Sequence, residues 1–310
     1  VLQIFKRKAQ AGGLTSVSFG QRHFGIANVT RDRDLPFLAQ CTRQEFRNPQ
    51  HLRDALVEQI ETLGLQGTTC NAVLAPRDYS LYLVEAPAVE PEEMRAAVRW
   101  KVKDLLDMPL EDAAIDVFPV PEDAFNGRSR MLYVVVAARS RLNAVVELCK
   151  AARLELAAID IPEMVMKNML NQFSEERGSQ AFIALKANGS IMNISRDGDL
   201  YLARTVNTQV LPDAMGMSDW PNLRDRLVLE IQRSLDYYES QMAQPPAREL
   251  LLAPRPDGEM LAASLQEVLP LRVTMLSYEQ RLEGAPHITA QNKHDCLFAI
   301  GGALRHDLAG

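Results

Sequence analysis

Apolar and small polar residues alternate over residues 14–19 and again over 24–29, either side of a turn at Gly20 and Gln21, which predicts a β-hairpin. A third strand is expected over 37–46. Leu52, Leu56, Ile60 and Leu63 then recur at helical spacing from Pro49 onward, and Gly64 supplies a C-terminal stop. The apolar run from Cys70 to Leu74, closed by Pro76, reads as a buried parallel strand. A different module follows. Residues 80–86 alternate as a strand, and Glu90, Pro91, Glu92 and Glu93 mark a helix start with acids at the positive end of the dipole. That helix carries Met94, Ala97, Val98, Val102, Leu105 and Leu106 and stops before Pro109. Strands are expected over 113–120 and 131–138, a helix over 142–153 and a strand over 156–160.

A connecting helix over 162–173 leads to three more strands, 182–185, 190–196 and 199–205, with Asp197-Gly198 as a hairpin turn. A long helix over 223–242 ends at Pro245-Pro246. A strand over 250–253, a helix over 259–268, a strand over 271–276 and a well-buried helix over 295–306 complete the chain. Three antiparallel strands, a helix and a further strand thus occur twice, near 14–75 and near 182–253. Such a duplicated α/β unit is ribonuclease-H-like, the actin, Hsp70 and sugar-kinase architecture. The expected domains are a basic tail (1–13), a first actin-like subdomain (14–79 plus 160–178), an insert (80–159) and a second actin-like domain (180–310).

Composition narrows the function. The 310 residues are 47% hydrophobic and 24% charged, as in a globular protein. The net charge of -6 argues against non-specific nucleic-acid binding. Cys41, Cys70, Cys149 and Cys296 form no metal half-site, and the last three sit in apolar segments as reduced core thiols. No apolar run reaches the ~20 residues of a membrane span, and no secretory leader is read at the N-terminus. Leu2, Ile4 and Phe5 followed by Lys6, Arg7 and Lys8 suit either a solvated tail or a tip resting on an anionic membrane. The five histidines are scattered, with no G-x-S-x-G frame and no GxxxxGK[ST] loop, so neither a hydrolytic triad nor a P-loop motor is expected.

Three segments carry a family resemblance. Residues 92–101 (EEMRAAVRWK), followed by Met108-Pro109-Leu110-Glu111-Asp112 and Ile115-Asp116, resemble a helix-then-strand signature of PilM-type proteins. Leu229-Glu230-Ile231-Gln232-Arg233-Ser234-Leu235-Asp236-Tyr237-Tyr238 resembles that family's E-I-x-R-S-L-D-Y/F-Y helix. Ala299-Ile300-Gly301-Gly302-Ala303-Leu304-Arg305 resembles its terminal A-x-G-L-A-L-R helix. The chain is most similar to the branch serving the mannose-sensitive haemagglutinin (MSHA) pilus. The resemblance implies an FtsA-like actin fold with an SHS2-type insert and a cytoplasmic scaffold of type IV pilus biogenesis, peripheral to the inner membrane through its partners. It further implies a partner peptide, the N-terminal cytoplasmic tail of a bitopic PilN/MshJ-like protein, captured beside the insert. Arg95, Arg99 and Trp100 are the expected contacts, although Trp100 reads equally as a core residue of the insert.

The nucleotide motifs implied by the resemblance are eroded. The family's first hairpin carries an aspartate, where this chain has Ser18 ahead of Gly20 and Gln21. In the second, Lys186 or Ala184 replaces the acid before Asn188, Gly189 and Ser190. A carboxylate there would hold hydrated Mg²⁺, which a lysine cannot. The adenosine turn reads Pro254-Arg255-Pro256-Asp257-Gly258 instead of glycine-rich, and its prolines remove backbone donors. Glu230 and Arg233 remain as cleft candidates or as a structural ion pair. The expectation is a scaffold without ATPase activity, bound metal or cofactor; the alternative is a working ATP-binding protein of the same assembly system.

Overall fold

The computed structural model describes residues 12–90, 92–127, 130–174, 178–187, 189–279 and 281–307. The basic tip from Leu2 to Lys8, the helix-start residue Pro91 and the hairpin residue Asn188 lie outside them. β1 (Leu14–Phe19) and β2 (His23–Thr30) form the expected hairpin, with Ser18 opposite Gly25, and β3 (Phe37–Glu45) adds antiparallel to β2. α1 (Pro49–Leu63) is set at both ends. The Asn48 side chain accepts from the His51 amide, and Gly64 stops the helix at φ 70°. β4 (Thr69–Val73) then lies parallel to β1.

β5 (Tyr79–Glu85), α2 (Met94–Lys101), β6 (Ala113–Pro119) and β7 (Met131–Ala138) follow in strand–helix–strand–strand order, paired as β5-β7-β6. α2 is shorter than its sequence pattern, because a 3₁₀ turn at Lys103–Leu105 takes over before Pro109. Its Val98 and Val102 bury against Val84, Leu132, Val134 and Val136. α3 (Arg139–Ala151) and β8 (Glu155–Asp160) come next. β8 pairs parallel with β4, giving a five-stranded sheet in the order β3-β2-β1-β4-β8.

α4 (Pro162–Phe173) leads into β9 (Ser179–Ala184), β10 (Ser190–Arg196) and β11 (Asp199–Val206). Asp197 and Gly198 join the last two at φ 51° and 95°, the two positive values a tight two-residue hairpin needs. α5 (Trp220–Asp236) stops earlier than its apolar spacing suggested and passes into a π-turn, Tyr237–Gln241. β12 (Glu249–Leu252), α6 (Gly258–Gln266) and β13 (Arg272–Met275) complete a second sheet, ordered β11-β10-β9-β12-β13. Both five-stranded sheets therefore run third, second, first, fourth, fifth, and the duplication read from the pattern is present in the fold. The final helix expected over 295–306 is α8 (Leu297–Ala303), and it is preceded across Cys296 by α7 (Ala290–Asp295), a short helix that the pattern does not give.

Two compact units result. The first comprises the described residues of Val1–Leu74, Asn143–Ile161 and Tyr278–Gly310. Here α8 lies across β1, β2 and β4, with Leu297, Ala299, Ile300 and Ala303 fully buried. A Cβ on Gly302 would come within 2.3 Å of Ser16 Oγ, so glycine is what lets this helix sit so close to the sheet. Cys70, Cys149 and Cys296 are buried free thiols, and a hydrogen bond to Cys149 together with burial pushes the Cys70 thiol well up.

The second unit comprises Ala75–Leu142 and Pro162–Ser277, so the three-stranded sheet and the second five-stranded sheet share one body. Val120, Ala124 and Tyr133 enter the same core as Ile183, Ile194, Leu227 and Ile231. The divisions differ from the sequence-drawn boundaries at several places. β8, which the pattern reads as the chain's return to the first core although the 80–159 boundary takes in most of it, is a strand of the first sheet; α4, drawn into the first subdomain at 160–178, lies in the second unit; and residues from Tyr278 on belong with the first unit rather than with a 180–310 domain. Pairing and packing across long sequence separations set these divisions, and local periodicity does not encode them.

Candidate functional site

Ser18, Gly20 and Gln21 lie at the end of the first hairpin. Ser18 is buried on β1, where its Oγ would be 3.0 Å from a Cβ on Gly25. The Gly20 amide donates to the His23 carbonyl at 2.9 Å, so this glycine N–H closes the turn, and Gln21 is exposed.

At the second hairpin, Gly189 has φ 124° and a Cβ there would sit 3.2 Å from Pro76. Ser190 is buried, and its Oγ accepts from the Lys186 amide at 3.1 Å, bracing the turn. These two residues border a cavity of about 310 Å³ with Pro76, Tyr79, Glu163, Arg204 and Thr205. Within it the Tyr79 hydroxyl donates to Glu163 Oε2 at 2.5 Å. Burial raises the Glu163 carboxyl above its ordinary range despite that bond, and burial beside Glu163 pushes the Tyr79 phenol well up. Neither residue was singled out from the sequence. Glu163 reads there as one more acid in a helix first turn, and only the packing of α4 buries it.

The adenosine-type turn spends its polar groups internally. Arg255, 3% exposed, bonds Asp257 through Nε at 2.5 Å and through Nη2 at 2.9 Å, and reaches the Val210 carbonyl at 3.1 Å. Gly258 is hemmed in, since a Cβ there would meet Met275 Sδ at 2.2 Å.

Glu230 and Arg233 on α5 do not form the ion pair their spacing allowed. The Glu230 carboxylate instead accepts from the Asn207 amide (2.7 Å), the Thr208 amide (2.8 Å) and the Thr208 hydroxyl (2.5 Å). Burial alone would raise its pKa, but these bonds outweigh it and the net shift is downward. Both residues border an open groove of about 720 Å³ with Arg204, Arg226, Leu223 and Leu229. Arg204 and Arg226 went unnoticed in the sequence, because they lie 22 positions apart on a strand and a helix.

The three α2 residues play separate parts. Arg95 is exposed and pairs with Asp116 at 3.0 Å. Arg99 donates to the Ala113 carbonyl at 3.3 Å and to the Leu110 carbonyl, stapling the helix to the turn before β6. Trp100 is 68% exposed, with Lys103 Nζ 5.7 Å from its ring centroid, so it is not a core residue of the insert. Among the described residues no three His, Cys, Asp or Glu side chains converge as a metal site, and no helix is long and apolar enough to cross a membrane.

No protein-family model matches the chain, and no curated protein matches it. Solved structures do. A PilM–PilN type IV pilus biogenesis complex superposes with a TM-score of 0.73 at 16% identity, covering 97% of this chain and 99% of that one. The cytoplasmic domain of EpsL, an inner-membrane component of the type II secretion system of Vibrio cholerae, gives 0.52 at 12% identity over 93% and 94%. A Bacteroides thetaiotaomicron protein with an actin-like ATPase fold and unknown function gives 0.51 at 10% identity over 85% and 90%. The fold is actin-like. The first unit contributes the hairpin at Ser18 and Gly20, and the second unit separately contains the hairpin at Gly189, the Tyr79–Glu163 cavity and the α5 groove.

Proposed function

We propose that this actin-like protein is a non-catalytic scaffold of type IV pilus biogenesis, holding the cytoplasmic tail of a bitopic inner-membrane protein of the PilN kind. The observation that carries this is the end-to-end likeness to the PilM–PilN complex, which covers nearly all of both chains. Sequence signatures in the insert, on α5 and on α8 support the same reading and favour the MSHA branch, with the chain as MshI and an MshJ-like protein as partner. In this proposal the strand–helix–strand–strand insert is the SHS2-type subdomain. The protein resides in the cytoplasm and reaches the inner membrane through its partner. Exposed Trp100, flanked by Arg95 and Lys103, is the aromatic contact for the tail, while Arg99 holds the helix that presents it.

The proposal also takes the chain as a pseudo-ATPase. Support comes from Ser18 in place of an acid, from the Gly20 amide spent on its own turn, and from the Arg255–Asp257 pair filling the adenosine turn. The decisive experiment recovers the bitopic partner from membranes and titrates its N-terminal tail peptide against the protein. Binding at tens of micromolar or tighter is expected, with Trp100→Ala weakening it about tenfold, roughly 1.4 kcal/mol. Absence of binding refutes the scaffold reading. Mg·ATP should leave the melting temperature unmoved; a rise that follows nucleotide concentration would instead establish the working ATP-binding alternative.

A further inference from the structure

We infer that the groove between β11 and α5 is a separate binding site for an acidic stretch of polypeptide, taken in extended form against the β11 edge. β11 is the outermost strand of its sheet. Part of its free edge is already used by the insert, since the Ala203 amide donates to the Tyr133 hydroxyl at 2.9 Å and that hydroxyl donates to the Tyr201 carbonyl at 3.2 Å. Outward-facing backbone groups on an antiparallel strand recur every second residue, so Thr205 turns its own N–H and C=O to the same side. Thr205 is exposed and borders the groove. The strip beyond it is held in place by the Glu230 carboxylate through the Asn207 and Thr208 amides.

Charge selects the ligand. Arg204, Arg226 and Arg233 border the groove, within a chain whose net charge is -6. Glu230, the one acid bordering it among the described residues, already receives three hydrogen bonds. Arg204 lies over the Tyr237 ring at 4.6 Å, and among the described residues Arg226 has only the exposed Asp219 at 3.8 Å and Arg233 has no ion-pair partner. Leu229, 45% exposed, adds an apolar wall. A strand presents side chains to alternate faces, so a segment alternating acidic and apolar residues could offer carboxylates to the arginines while its backbone pairs with Thr205. A phosphate-bearing small molecule fits less well. Neither 204–209 nor 223–234 contains a glycine, and close backbone approach to phosphate calls for one.

The site is independent of the Trp100 contact, and the test keeps the two apart. A display library of random dodecapeptides is selected on the whole chain, and the enriched peptides are synthesised with a fluorescent label. The selected pool should be rich in Asp and Glu alternating with apolar residues. Arg233→Glu and Arg204→Glu should each weaken binding at least tenfold, and Thr205→Pro, which removes the edge donor at a position where proline is tolerated, should do the same. Binding should weaken with added salt, and Trp100→Ala should leave it unchanged. Thermal melts of each variant within a few degrees of the parent confirm that the fold persists. A pool without acidic excess, affinities within twofold after charge reversal, or displacement of the peptides by ATP with the same arginine dependence would each overturn the inference.

Discussion

Glu163 keeps its proton to higher pH in the folded protein than in the unfolded chain, because burial outweighs the hydrogen bond from Tyr79. The folded state then binds more protons than the unfolded state between the two values, so this residue's contribution to stability is present at low pH and is lost as pH rises through that window. Glu163→Gln keeps an acceptor for Tyr79 and has no proton to lose. The variant should gain stability relative to the parent as pH is raised from about 5 to about 8, measured by urea denaturation across pH. A constant difference would show that the carboxyl is ionised throughout. Glu230 behaves in the opposite sense. Its bonds to Asn207 and Thr208 lower its pKa, so its contribution is present above the ordinary glutamate range and fades as pH falls through the lowered value. Glu230→Gln places an amide N–H₂ against backbone donors and should cost about 1–3 kcal/mol at neutral pH, with faster amide exchange at Asn207 and Thr208.

Individual elements are held by close contacts that the chain's apolar spacing only hints at. In the last helix, α8 approaches β1 so closely at Gly302 that there is no room for a methyl group. Gly302→Ala should therefore destabilise by about 1–3 kcal/mol, whereas Gly216→Ala, where a Cβ meets nothing within 4 Å, should change stability little. Tyr133 supplies another such contact. Its hydroxyl bridges the Ala203 amide and the Tyr201 carbonyl, and Tyr133→Phe leaves both without that partner. A loss of about 1–3 kcal/mol and faster exchange of the Ala203 amide are expected. Element lengths were less legible. α5 gives way to a π-turn at Tyr237 although its apolar positions continue to Met242, and Tyr238 and Met242 are nonetheless fully buried.

At the scale of the molecule, each unit has its own five-stranded sheet, the second also holds the three-stranded sheet, and both tryptophans, Trp100 and Trp220, belong to the second. Gly302→Ala lies in the first unit. It should move the far-ultraviolet circular dichroism transition to lower denaturant while leaving the tryptophan fluorescence transition in place; a common shift would show that the two units unfold together. The order of elements, the repeated strand–helix–strand pattern and the helix stop at Gly64 were determined by the sequence alone. They follow from side-chain spacing and from the few backbone conformations open to each residue, which act over a handful of positions. The tertiary structure alone decided that Glu163 is buried, that Glu230 holds a loop instead of pairing with Arg233, that Trp100 faces solvent and that three arginines border one groove. Those outcomes depend on which distant segments pack together, and burial, hydrogen-bond partners and local charge all follow from that packing.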